Sequence, residues 1–324
     1  MTKIYEKESG TGMNYINTLR EGDNVTEIYF CKQKTVAQTK AGKTYYSLIL
    51  QDMTGTIDAK IWELSNAIEH FEALDFIKVS GQITSFNNNL QFNVRRVQKA
   101  REGEYDVSDY MPTTKFNIED MYKELLDIIE SIQEEHLSAL LKDFFVADGD
   151  FVSVFKKHSA AKSIHHGFIG GLLQHTLSVA KICSFYAELY PVINRDLLLT
   201  AAICHDIGKL KEISSFPEND YTDDGNLLGH IVIGTMMVRD KAAQIEGFPV
   251  QLLSELEHCI LSHHGELEFG SPKKPALIEA VALAFADNTD AKLEAFQEEL
   301  DKSSDSTDWL GWNKMFDANI RKTV

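Results

Sequence analysis

The sequence predicts a multidomain α+β protein: a small five-stranded β-barrel followed by an all-α helical bundle. Three observations carry the prediction. Side-chain character alternates with period two from residue 25 to about 99, then shifts to a period of 3.6 from residue 118 onward. An aperiodic stretch containing Pro112, residues 102–117, separates the two patterns. A chain of 324 residues is long enough to build two cores. The expected division is an N-terminal extension (1–24), a β-module (25–101), a linker (102–117), connecting helices (118–160), a helical body (161–303) and a tail (304–324).

The β-module reads as five strands rich in β-branched and aromatic residues: "VTEIYFCKQKTVAQT", "TYYSLILQD", "TIDAKIWE", "FIKVSGQITSF" and "LQFNVRRVQ". Turn residues separate them at Ala41-Gly42, Met53-Thr54-Gly55 and Asn87-Asn88-Asn89. Between the third and fourth, "LSNAIEHFEAL" reads as a short helix. Five strands with one helix after the third predict an OB-type barrel. Alternation sends Tyr46, Leu48, Leu50, Ile57, Ala59 and Ile61 inward. It leaves Tyr45, Lys60 and Trp62 outside, where aromatic faces and a cation suit single-stranded nucleic acid. Packing of Tyr45 and Trp62 under a loop is the alternative.

Beyond the linker, "IEDMYKELLDIIESIQEEHLSALLKDFF" is amphipathic, as one helix or two, and helix is expected almost to the end. Trp309 and Trp312 in the tail are expected to pack back onto the body. The acidic run "FPENDYTDDGN" lacks EF-hand spacing and reads as a solvated loop at the rim of a site.

Composition narrows the function. The formal charge of −17 argues against a generally nucleic-acid-coated surface. The charge is uneven: Val25–Arg101 holds ten Lys/Arg and seven Asp/Glu, +3, and the remainder carries −20. The four cysteines are scattered without a CxxC, which reads as reduced thiols. No apolar run has the roughly 18 residues of a membrane span, and "MTKIYEKESGTG" is unlike a signal peptide. A cytoplasmic protein without membrane association is expected.

The helical half carries a repeated anomaly. His175 shares an apolar stripe with Val179, Ile182 and Tyr186. His205 follows Leu198 and Ala202, with Asp206 beside it. His230 shares a stripe with Ile233 and Met237. His263 and His264 end another apolar helix, and Asp287 follows Ala280, Leu283 and Ala284. A lone inward histidine is ordinarily a hydrogen-bonded core residue. Seven ionisable groups on five successive predicted helices are different, because burying them without a cation is very unfavourable. Imidazoles and carboxylates are metal ligands, and the number suits two ions. His175, His205, Asp206 and Asp287 would hold one. Asp206 (bridging), His230, His263 and His264 would hold the other. Two ions about 4 Å apart clamp the attacking and leaving oxygens of a phosphoester. The donor set suits Mn²⁺, Fe²⁺, Co²⁺ or Zn²⁺ better than Mg²⁺ or Ca²⁺.

"ICHDIGK" and the surrounding histidines resemble the HD-domain metal-dependent phosphohydrolases, and His230 with the His263-His264 pair resembles their two-metal branch. More narrowly, "AAKSIHHGFIGGLLQHTLSVA", "CHDIGKLKE", "LLGHIVIG", "LSHHGELEFGSPKKP" and "ADNTDAKL", behind an OB module, resemble the YhaM-type 3′-to-5′ exoribonucleases. The likeness runs from about Met13 to about Phe296. It implies an HD phosphohydrolase domain over 161–303, stepwise release of 5′-mononucleotides from single-stranded RNA, some action on single-stranded DNA, and two divalent ions, Mn²⁺ foremost. It implies metal ligation by the seven residues named, and a catalytic role for Asp206. Lys209 matches the lysine of the family pattern, where it would neutralise the scissile phosphate; a cation closing a helix C-terminus is the alternative. Lys162, His165 and His166, just before the first ligand helix, are candidates for holding the terminal nucleotide, and Asp290 for orienting a metal-bound imidazole from behind. Homo-oligomerisation stays open. So do two other readings: a phosphohydrolase of mononucleotides or cyclic dinucleotides, and a non-catalytic RNA-binding protein with a structural metal.

Overall fold

The structure, a computed structural model, describes residues 13–87, 89–162, 167–302 and 308–323. The chain forms two compact units that part at Lys115/Phe116. The first is a closed barrel of β1 (Asn24–Gln38), β2 (Thr44–Asp52), β3 (Gly55–Ile61), β4 (Phe76–Phe86) and β5 (Asn89–Lys99). Its order is β1-β2-β3-β5-β4, with β3 and β5 parallel and the other pairs antiparallel. This is the OB-type arrangement that the sequence predicts.

The first strand serves two partners. Residues Asn24–Phe30 pair with β4, and Phe30–Gln38 pair with β2, across a bulge between Cys31 and Gln33. A bulge sharpens twist and lets one strand turn a barrel corner. Leu48, Leu50, Ala59, Ile61, Ile77, Val79, Ile83 and Phe92 are fully buried inside. Gly81 sits at a register shift between β4 and β5, and a Cβ there would stand 2.0 Å from the Asn93 carbonyl oxygen.

The helix expected in "LSNAIEHFEAL" is absent. Residues around Ile68 instead pair like a strand with Val97, through Glu69 N–H to Val97 O (3.0 Å) and Val97 N–H to Ala67 O (3.0 Å). Ser65 Oγ also accepts from Ala67 N–H. These bonds take the backbone groups that a helix would need, and local apolar period alone cannot outbid them. Phe71 is buried by the same excursion. The stretch 102–117 reads as a linker, but its residues up to Lys115 belong to the barrel unit: Tyr105 stacks on Phe76 at 4.0 Å, and Met111 is buried.

The second unit contains α1 (Ile118–Glu130), α2 (Glu135–Lys142), α3 (Gly149–Phe155), α4 (Gly171–Leu189), α5 (Arg195–Cys204), α6 (Lys209–Glu212), α7 (Asp223–Leu227), α8 (Gly229–Ala242), α9 (Val250–Leu261) and α10 (Ile278–Lys302). Side chains of Asn117, Glu134, Asp148, Asn194 and Thr222 cap α1, α2, α3, α5 and α7 by accepting from backbone N–H groups. Helix α4 is buried nearly all round at its N-terminal half, and α5 from Leu197 to its end. These two pack on each other in the middle of the bundle, α4 also against α1 and α10, and α5 against α9 and α10.

Two tail and loop expectations fail. The tail contains a hairpin of β6 (Trp309–Asn313) and β7 (Ala318–Arg321). Trp309 and Trp312 are exposed (60% and 63%); Phe316 packs on Phe296 and Ile320 is buried in their place. Strict alternation would put residues 309 and 312 on opposite faces, but a bulge between Trp309 and Gly311 sets them opposite Arg321 and Asn319 on one outer face, with Ile320 on the other. The acidic run is not wholly a solvated loop. Asn219 is buried and donates to the carbonyls of Ala161 and Lys162, and Asp223 and Asp224 open α7, where carboxylates favour the helix N-terminus.

Candidate metal centre

The predicted ligands do not ride on five successive helices. His175 lies in the second turn of α4, His230 at the start of α8 and Asp287 in the middle of α10. His205 and Asp206 lie in the turn joining α5 to α6, and His263 and His264 in the turn after α9. Helices α6 and α7 intervene between the second and third positions. Gly208 allows this arrangement. A Cβ at Gly208 would stand 2.0 Å from the His230 carbonyl oxygen, so only a bare backbone lets the Asp206 turn sit against α8.

The side chains nevertheless meet. His175 Nε2 is 3.2 Å from His205 Nε2, 3.2 Å from Asp287 Oδ1 and 3.4 Å from Asp206 Oδ2. His205 Nε2 is 3.4 Å from the same Asp206 oxygen. On the other side, Asp206 Oδ1 lies 3.5 Å from His230 Nε2 and 3.8 Å from His263 Nε2. His230, His263 and His264 bring donor atoms within 4.8 Å of one another. Ligands bound about 2.0–2.2 Å from an ion stand roughly 3.0–3.6 Å apart; the separations of 3.2–3.5 Å match that spacing, and those of 3.8 Å and above are wider than it. Asp206 turns one oxygen to each side.

The imidazoles are oriented to match. Each Nδ1 faces an acceptor: Asp290 Oδ2 for His175 (2.7 Å), Ala202 O for His205 (2.8 Å), Glu212 Oε1 for His230 (2.9 Å), Ile260 O for His263 (2.7 Å) and Phe269 O for His264 (2.7 Å). With the proton on Nδ1, the Nε2 lone pair points to the centre in all five rings. Asp206 Oδ1, His230 Nε2 and His263 Nε2 are buried and have no hydrogen-bond partner among the described residues. Orphaned acceptors of this kind are costly, and a cation satisfies them. With neutral imidazoles, Asp206, Asp287, Asp290 and Glu212 outweigh Lys209, so the local charge is strongly negative.

The electrostatics agree. Burial opposes ionisation of Asp206, but Lys209, His205 and His230 outweigh it and hold its carboxyl well below the usual range. Asp287 is depressed too, its hydrogen bond to His175 overcoming burial. Burial alone would lower His175, yet hydrogen bonds to Asp287 and Asp290 lift it to about 10. That point of the site therefore favours positive charge. Burial and neighbouring imidazoles push His263 and His264 down, keeping them neutral and available as ligands.

Lys209 is the first residue of the single-turn helix α6. Its ammonium is 2.7 Å from Asp206 Oδ2. Asp290 is near enough to orient His175. Glu212 was missed by sequence reasoning: its carboxylate also accepts from the His230 backbone N–H at 2.9 Å. It stands in the quoted "CHDIGKLKE" segment, but only the fold puts it behind His230. Lys162 is committed to Asp220 at 2.5 Å, and His165 and His166 lie outside the described residues. On the barrel, Tyr45 and Trp62 stack with centroids 4.6 Å apart, and Trp62 donates to Asn93 Oδ1. Lys60 shares that outer surface, but its ammonium is bound to Asp58 and Ser47.

Replacing Asp290 by Asn or Glu212 by Gln should weaken metal affinity by about 10- to 100-fold while leaving the fold intact. Titration of each variant with Mn²⁺ by calorimetry checks this; unchanged affinity in both would remove their orienting role.

Comparison with known proteins places both units. The model of an OB-fold nucleic acid binding domain matches residues 32–100, and that of the HD domain matches residues 172–292. Among solved structures, the second OB-fold domain of replication protein A from Methanococcus maripaludis is 21% identical and covers 29% of this chain and all of its own, with a TM-score of 0.23. The p204 HINb domain is 17% identical over 28% of this chain and 47% of its own, with a TM-score of 0.24. The 3′-5′ exoribonuclease YhaM of Geobacillus sp. (strain WCH70) is 35% identical over 283 residues, 87% of this chain and 86% of that protein. With an OB-fold unit, an HD domain and that identity along most of its length, the chain belongs to the YhaM family of 3′-5′ exoribonucleases.

Proposed function

We propose that the protein is a metal-dependent 3′-5′ exoribonuclease that releases 5′-mononucleotides from single-stranded RNA, with single-stranded DNA as a second substrate. One observation carries this reading: five imidazole nitrogens and two carboxylates converge beside a cavity in a chain of the YhaM family. His175, His205, Asp206 and Asp287 would hold one divalent ion, and Asp206, His230, His263 and His264 a second, with Mn²⁺ the best match. Bound ions of this type polarise a phosphodiester and make water nucleophilic at neutral pH.

The chain's own residues do the rest. Asp206 holds both halves of the site in register, and Lys209 fixes Asp206. Lys209 also lines the cavity, where its charge would face a non-bridging phosphate oxygen. Asp290 and Glu212 keep His175 and His230 in the tautomer that presents Nε2. Hydrolysis breaks the bond from phosphorus to the upstream O3′, which takes a proton and becomes the new 3′ end. Tyr45 and Trp62 on the barrel would hold upstream bases by stacking.

Incubation of the Mn²⁺-loaded protein with 5′-labelled and 3′-labelled RNA tests the reading. A 5′-label should pass down a ladder of shorter RNAs, and a 3′-label should appear at once as mononucleotide. RNA that is bound but never shortened, or turnover confined to free nucleotides, would reverse the conclusion. Trp62→Ala should raise KM for RNA by roughly 5- to 150-fold, the value of one stacked base, with kcat little changed. Steady-state kinetics decide it, and an unaltered KM would take Trp62 out of the RNA path.

A further inference from the structure

We infer that the cavity beside the metal centre is the subsite for the 3′-terminal nucleobase, whose flat face packs on Phe285 and Phe269. The inference rests on the exoribonuclease reading and names what that site grips. The cavity measures about 810 Å³, within the range of small-ligand pockets. His175, Lys209, His264 and Asp287 form part of its wall, so it is continuous with the donor cluster. A nucleotide bound here would have its phosphate within the charged part and its base beyond.

The remaining wall is built for an apolar, planar group. Phe285 and Val281 lie one turn apart on α10, 62% and 40% exposed, and Phe269 on the loop after His264 is 69% exposed. Three exposed large apolar side chains around one cavity are a site feature, since isolated ones scatter over surfaces without a shared concavity. Ala284 and Ala291 leave room between them. The charges there are paired: Lys274 is bound to Glu266 at 2.5 Å, as Lys209 is to Asp206. That wall therefore offers little to a second phosphate and much to a neutral base. Asn288, one turn from Phe285, presents a carboxamide, with a donor and an acceptor for a ribose hydroxyl or a base edge. Stacking accepts every base, which is what stepwise removal of unlike nucleotides requires.

The test uses the full-length protein with Mn²⁺ and two RNAs that differ only in whether the 3′-terminal nucleotide carries a base or is abasic. Release of the first nucleotide is timed. The wild type should prefer the normal end by roughly 5- to 150-fold in kcat/KM. Phe285→Ala and Phe269→Ala should each shrink that preference, and the double variant should bring it to within about 2-fold. The abasic RNA needs no altered protein, so a misfolded variant cannot hide the answer. Equal cutting of both ends by the wild type would overturn the subsite and leave the nuclease standing. A preference that survives in the double variant would likewise overturn it. Failure to shorten either RNA would remove the exoribonuclease reading and the subsite together.

Discussion

Asp206→Asn should lower RNA hydrolysis by on the order of 10³-fold or more while RNA binding persists. Among the described residues, Asp206 is the one whose two oxygens face different groups of imidazoles, at 3.4 Å from His175 and His205 and at 3.5 Å and 3.8 Å from His230 and His263. Loss of its charge removes a ligand from both sides and leaves Lys209 facing an amide. Asn preserves volume, whereas Ala would also leave the Lys209 ammonium without its partner, a destabilisation of about 3–5 kcal/mol for a buried pair. Binding should survive because Tyr45 and Trp62 belong to the other unit. Single-turnover hydrolysis with a parallel equilibrium binding measurement separates the two. Full activity in Asp206→Asn would refute the ligand assignment, and loss of binding in step with activity would point to unfolding instead.

Metal removal should have an effect of similar weight. Chelation is expected to stop hydrolysis and to lower the melting midpoint of the helical unit by roughly 5–15 °C. The estimate follows from a ligand present at 100 to 1,000 times its dissociation constant, which stabilises the native state by about 2.7–4.1 kcal/mol. The cause is visible in the buried acceptors of Asp206, His230 and His263, which lack partners among the described residues. The barrel, whose core is aliphatic and aromatic, should melt as before. Calorimetry of the full chain with chelator, then with Mn²⁺ restored, measures both quantities, with metal analysis of the starting protein. An unchanged midpoint together with undiminished hydrolysis would mean that the cluster holds no functional ion.

Much of this was legible in one dimension. A period of two with turn residues at fixed places specified a five-stranded barrel, because a pleated strand sends alternate residues to opposite faces. The helical half was legible because inward stripes of leucine and alanine leave little room for a histidine without a purpose. Repetition, not any single histidine, made the metal centre readable. Short-range competition was less legible. "LSNAIEHFEAL" has apolar residues compatible with a helix, but Val97, almost thirty residues away, takes its backbone hydrogen bonds. Likewise Trp309 and Trp312 looked like core residues by composition, and a hairpin turned them to solvent.

The sequence by itself determined the two-part architecture and the kinds of atom available to bind a cation. Those follow from residue type and period, which are local. Tertiary structure alone decided that Asp206 turns an oxygen to each side, that Glu212 stands behind His230, that Lys162 is held by Asp220, and that Phe269 and Phe285 share a cavity with Asp287. The reason is physical. Coordination and hydrogen bonding act over about 2–3 Å, and separations that short between residues tens of positions apart are fixed by how helices pack.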